Sequence, residues 1–151
     1  MPWDRSKRPD RSGMEFAPHT FRHRVRFREC DPMGIAYHVH YLDWFEYART
    51  EALRDLGVPY KEIADSGITL PVTHLEIDYR ESARYDEMIR IETLATLSTS
   101  SVRIACNYRV FREDDDRLLA TGRVDLCFFD PERGRPVRAP ESVTAVVPIE
   151  S

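Results

Sequence analysis

The chain has 151 residues, 42% hydrophobic and 32% charged, with a net charge of −4, which is ordinary for one soluble domain able to bury a core without staples. No apolar run approaches the ~20 residues that span a bilayer, and Met1-Pro2-Trp3-Asp4-Arg5 leads into polar residues rather than a signal-peptide core. The acidic balance argues against a nucleic-acid binder, so the expected setting is the cytoplasm, with no membrane and no nucleic acid as partner.

Residues 1–18 are polar, rich in Pro, Arg and Asp, and without periodicity, and are expected to be a disordered tail before a single domain over 19–151. From 21 to 28 the chain alternates: Phe21, His23, Val25 and Phe27 on one side, Arg22, Arg24, Arg26 and Arg28 on the other. That is the pattern of a half-buried strand with a solvated arginine row. Asp31-Pro32-Met33-Gly34 has turn composition. From about 38 to 56 the period changes. Tyr41, Phe45, Ala48, Ala52 and Leu56 form one stripe at helical spacing, widened by Leu42, Trp44 and Leu53. So apolar a helix is expected to be wrapped by a sheet. Gly57 suits the C-cap and Pro59 blocks continuation.

Extended segments are predicted over 70–81, 86–97, 101–112 and 117–129. The first carries Val72, Leu75, Ile77 and Tyr79; the last carries Leu118, Ala120, Gly122, Val124, Leu126 and Phe128 in alternation. The acidic run 113–116 reads as a hairpin loop. Three long strands with short links imply an antiparallel meander. Residues 130–136 are expected to end the sheet, and the rest shows no strong pattern. The order is strand, long helix, four strands. An α+β domain, one central helix wrapped by a curved five-stranded antiparallel sheet, satisfies the layer rule. Its free edges and outer face predict oligomerisation.

This order, with Asp31-Pro32-Met33-Gly34-Ile35-Ala36-Tyr37-His38, Tyr41 and Glu46-Tyr47-Ala48-Arg49-Thr50-Glu51, resembles the hot-dog fold and the 4-hydroxybenzoyl-CoA thioesterase family. Within that family it resembles the Tol–Pal-associated acyl-CoA thioesterases. Ile77-Asp78-Tyr79-Arg80-Glu81-Ser82-Ala83-Arg84-Tyr85-Asp86 and the ending Asp130-Pro131, Arg135-Pro136, Pro140-Glu141 support the match over roughly residues 20–145. The resemblance implies acyl-CoA thioester hydrolysis in a homodimer or homotetramer, with pockets at the dimer interface and no cofactor beyond the CoA of the substrate. It matches Asp31 to the catalytic aspartate and His38 to the helix-start position whose backbone N–H polarises the carbonyl, with Tyr37 immediately before it. Where some relatives carry adjacent basic residues between the third and fourth strands, this chain has Leu97-Ser98-Thr99-Ser100-Ser101. Hydroxyls and backbone amides are then the expected contacts for the CoA phosphates, with Arg103 or Arg84 nearby.

The residue types suit that chemistry. The first amides of a helix lack internal partners and sit at its positive end. An ionised aspartate beside them can attack a thioester carbon or activate water. Gly34 permits a positive φ or close substrate approach. Tyr41 and Phe45, within the aromatic helix start, are candidate substrate contacts or simply core. Cys30, beside Asp31, lacks a cation to lower its pKa. Cys106 and Cys127 read as buried hydrophobes, and the three dispersed cysteines form neither a disulfide framework nor a zinc cluster. His38 and His40 point to different faces of a helix, so no metal is expected. Glu46 is the reserve acid. The competing readings are a non-catalytic acyl-CoA-binding protein and an enoyl-CoA hydratase. The seven-residue step from Asp31 to His38 counts against the hydratase.

Overall fold

A computed structural model describes residues 18–150; the expected tail falls outside these apart from Pro18. The strands are β1 (His19–Arg24), β2 (Val72–Tyr79), β3 (Met88–Leu97), β4 (Arg103–Arg112) and β5 (Arg117–Cys127). They form one antiparallel sheet in the order β1-β3-β4-β5-β2. The helices are α1 (His40–Asp55) and α2 (Tyr60–Asp65). α1 buries Tyr41, Trp44, Phe45, Ala48, Ala52 and Leu53 against the concave face. This is the expected α+β arrangement.

The inner face alternates as a sheet around a helix must. Ile89, Ile91 and Leu97 of β3, Ile104, Cys106, Tyr108 and Val110 of β4, and Ala120, Val124 and Leu126 of β5 are buried in one cluster. Phe45 stacks on Tyr108 with ring centroids 4.1 Å apart and planes at 9°. Gly122 makes room for it, since a Cβ there would lie 2.5 Å from the Phe45 ring. The helix and sheet approach so closely because one residue has no side chain. Burial pushes the Cys106 thiol up to about 11, so it behaves as a small hydrophobe.

Four expectations need correction. β1 stops at Arg24, and Phe27–Glu29 form a 3₁₀ turn. Phe27 is therefore 79% exposed rather than inward, and Glu29 takes the buried place. β2 is an edge strand with a bulge between Val72 and His74, so only Ile77 of its residues is half-buried. A bulge opposite Val110 and Phe111 inserts Leu119 into β5, and Leu119 and Ala120 are both buried. The C-terminal part is structured. β6 (Phe129–Asp130) pairs with β7 (Arg135–Pro136), and α3 (Glu141–Thr144) buries Val143. Leu97 and Ile149 then form a parallel bridge.

Candidate active site

The chain leaves the 3₁₀ turn through a tight loop tied down at each step. The Gly34 amide donates to the Asp31 carbonyl and the Asp31 amide to the Ile35 carbonyl, both at 2.9 Å. Pro32 supplies the fixed φ of the turn's second position, and Gly34 takes φ +78°. A Cβ at Gly34 would meet nothing within 4 Å, so backbone conformation rather than close approach requires glycine there. The loop is anchored to the end of the β2–β3 connection by Ala36 N–H to the Ala83 carbonyl at 2.8 Å and an Ile35–Arg84 bridge.

The Asp31 carboxylate is half-buried. Its Oδ1 accepts the Met33 amide at 2.8 Å, and Oδ2 has no partner among the described residues. It borders a cleft of about 290 Å³ that His38, Tyr41, Tyr79 and Ser82 also line. The start of α1 faces the same cleft. The amides of His40, Tyr41 and Leu42 are engaged by the carbonyls of Tyr37, His38 and Val39. Those of His38 and Val39 find no acceptor among the described residues. Tyr79 of β2 donates its hydroxyl to the His38 carbonyl at 2.9 Å, fixing the peptide at the helix start. Burial raises the Tyr79 pKa, which keeps that donor protonated. Tyr41 and Tyr79 meet edge to face, centroids 5.1 Å apart, as the cleft's aromatic wall.

A carboxylate with a free oxygen and a helix start with open amides, Asp31 and His38 lining one cleft, suit hydrolysis, and comparison with known proteins decides the class. Residues 25–147 match the thioesterase-like superfamily. The chain belongs to that superfamily. It is 30% identical over 130 residues to a putative esterase of Aquifex aeolicus, covering 86% of this chain and 98% of that one. It is 30% identical over 127 residues to the acyl-CoA thioesterase YbgC of Haemophilus influenzae, covering 83% and 91%. Among solved structures, the DHNA-CoA thioesterase of Staphylococcus aureus superposes with a TM-score of 0.73 at 32% identity, covering 79% and 78%. The fold is thus the hot-dog fold of the thioesterase-like superfamily, and the chain is a thioester hydrolase.

Within this thioesterase frame the sequence-predicted residues separate. Asp31, His38 and Tyr41 share the cleft, with Gly34 on the turn beneath it. The Tyr37 ring is exposed and packs on His38, centroids 4.5 Å apart, while its amide donates to the Glu29 carbonyl at 2.8 Å. Phe45 lies in the core on Tyr108, one turn of α1 below Tyr41. No hydrogen bond joins the His38 ring to Asp31 among the described residues. His40 pairs with Asp43 at 3.2 Å. Glu46 is exposed on α1 and does not line the cleft. Cys30 is a poor thiolate: burial, then the Glu29 and Asp31 carboxylates, raise its pKa. Among the described residues no group of three His, Cys, Asp or Glu side chains is placed to hold a metal ion.

Sequence reasoning missed Glu29. Its carboxylate accepts Trp44 Nε1–H and the Arg26 amide at 2.7 Å each and contacts His23 Nε2 at 2.8 Å. Burial alone would raise its pKa, but the bonds from Trp44, Arg26 and His23 outweigh it and hold the carboxyl below its usual range. Glu29 thereby ties β1, the 3₁₀ turn and α1 together directly beneath the Asp31 loop. An indole on the buried stripe was the available signal, since a buried Trp N–H needs an acceptor.

Proposed function

We propose that the protein hydrolyses the thioester of an acyl- or aroyl-CoA to the free acid and CoA, in the cytoplasm, with Asp31 as nucleophile or general base. The observation that carries the reading is that Asp31, whose Oδ2 is without a partner, and His38, whose amide is without an acceptor, both among the described residues, line one cleft. The relatives named for acyl-CoA and DHNA-CoA thioester hydrolysis support the substrate class.

The chemistry follows from the geometry. The substrate carbonyl oxygen lies toward the His38 and Val39 amides at the positive end of α1. Fixed donors aimed at a developing oxyanion are each worth about 3–4 kcal/mol in acyl transfer. Asp31 attacks the carbonyl carbon to give a mixed anhydride that water then hydrolyses, or it takes a proton from an attacking water. In either case the thioester C–S bond breaks and CoA leaves as the thiol. Tyr41 and Tyr79 wall the acyl or aroyl group, and Tyr37 backs the His38 ring.

The assembly is a homodimer or homotetramer. β2 is one of the sheet's two edges, and it exposes Val72, Leu75 and Tyr79, a surface that self-pairing would cover. Because Tyr79, Arg80, Glu81 and Ser82 line the cleft, a second protomer against this edge would also wall the site.

A thiol-release assay over a panel of acyl- and aroyl-CoAs tests the reading, with wild type and Asp31→Asn side by side. Turnover by wild type, lost by about 10³-fold in a folded Asp31→Asn, is the expected result. No turnover on any thioester while acyl-CoA still binds would replace the hydrolase with a binding protein.

A further inference from the structure

The 3₁₀ turn that corrects the expected strand also creates an unusual surface. Phe27 is 79% exposed and Tyr85 55% exposed, and their rings meet edge to face with centroids 5.7 Å apart. They border a groove of about 630 Å³ that runs along Arg22, Arg24 and Arg26 to Asp86. Arg22 pairs with Glu113 at 2.6 Å, and Arg24 donates to the Asp86 carbonyl at 2.7 Å. Arg26 and Arg28 flank Phe27 in sequence and make no side-chain ion pair among the described residues. Exposed aromatic faces beside unpaired guanidinium groups match a ligand with a π-face and phosphates. Folding gains nothing from leaving two large rings in water.

The position matters as much as the composition. Phe27 and Asp31 are four positions apart, so their backbones are at most about 14 Å apart. The Ile35–Arg84 bridge sets the Asp31 loop beside Tyr85. A substrate whose thioester sits at Asp31 and whose other end carries a phosphorylated purine on a long flexible arm can reach the groove. The hydroxyl-rich link at 97–101, by contrast, offers no cation.

We infer that the groove walled by Phe27 and Tyr85, with Arg26 at its rim, holds the 3′-phosphorylated ADP end of the CoA substrate. The adenine stacks on the exposed aromatic faces, and Arg26 and Arg28 meet the phosphates. The inference rests on the acyl-CoA reading above, and the test separates the two. Wild type, Phe27→Ala and Phe27→Trp are compared on an acyl-CoA and on the matching S-acyl-pantetheine, which lacks the nucleotide. In Phe27→Ala, KM for acyl-CoA should rise about tenfold with kcat retained, and Phe27→Trp should restore it. The S-acyl-pantetheine should give one kcat/KM for all three proteins. Equal acyl-CoA KM values in wild type and Phe27→Ala would overturn the assignment. If wild type hydrolyses neither thioester, the hydrolase reading fails. Calorimetric titration with adenosine 3′,5′-bisphosphate then tests the groove alone. Binding weakened by Phe27→Ala supports it, and equal binding overturns it. An unchanged KM together with lost sedimentation on phosphatidylglycerol vesicles would also overturn it, making the patch a membrane contact.

Discussion

Glu29 and Asp31 are carboxylates two positions apart, yet their surroundings are opposite. Glu29 is 6% exposed and its carboxylate meets Trp44, His23 and the Arg26 amide. Asp31 is half-buried, holds one amide and faces a cleft. A fully satisfied buried carboxylate rigidifies; one with an idle oxygen at a cleft is available for chemistry. The difference teaches that the same side-chain type is assigned to frame or to reaction by its count of donors. The frame residue here carries the reactive one, since the Glu29 carbonyl also receives the Tyr37 amide at 2.8 Å.

The contrast breaks most plainly on activity. Asp31→Asn should lower kcat by about 10³-fold while its urea midpoint stays near wild type, because the isosteric amide can still accept the Met33 amide. A large stability loss in Asp31→Asn would mean that the two carboxylates are both structural. Glu29→Gln should do the reverse. Its NH₂ must face a donor that the carboxylate had accepted, and hydrogen bonds to a charged group contribute about 1.5–3 kcal/mol each. A stability loss of about 2 kcal/mol in urea unfolding is expected, with activity falling several-fold through a looser loop. If Glu29→Gln unfolds like wild type, the three-donor network is not what holds the turn.

Acid titration sharpens the same comparison. The Glu29 pKa is lower in the folded chain than its usual value of 4.5. The folded state therefore binds the proton less well than the unfolded state there. The stability this contributes is complete above pH 4.5 and is lost as pH falls through the lower folded value. Urea midpoints from pH 6 downward should show a Glu29-dependent drop that begins near 4.5 and is missing from Glu29→Gln. A drop of the same steepness in both proteins would assign the acid limb to other carboxylates.

Most of the frame was legible in the residues. The α1 stripe, the β3–β4–β5 meander and the wrapped-helix layout follow from periodicity, because a 3.6 or 2.0 repeat records which side is buried. What failed was local or long-range. Phe27 continues a perfect alternation, but the amide of Arg26 and the indole of Trp44 draw Glu29 inward and end the strand. Val72, Leu75 and Tyr79 lie exposed on β2, because an edge strand can carry the same apolar residues as a buried one. The Leu119 bulge leaves no compositional trace, and α3 is too short to show a period. At the site, Asp31, Gly34 and His38 stand out through turn chemistry and family resemblance. The peptide joining His38 to Val39 is held by Tyr79, 41 residues away from His38, and no spacing rule reaches that far.

That long-range contact gives the smallest and most specific effect. Tyr79→Phe keeps the ring against Tyr41 and removes only the hydroxyl that bonds the His38 carbonyl. The bond is neutral and on an exposed residue, so about 0.5–1 kcal/mol of stability is expected to go. The peptide whose carbonyl it holds precedes Val39, so releasing it lets the open amides at the start of α1 tilt away from the substrate oxygen. A fixed donor loses value quickly with misalignment, so kcat should fall about three- to tenfold while KM holds. Loss of stability with full kcat would show that Tyr79 supports the helix start without aiming it. Loss confined to KM would place its hydroxyl on the substrate instead.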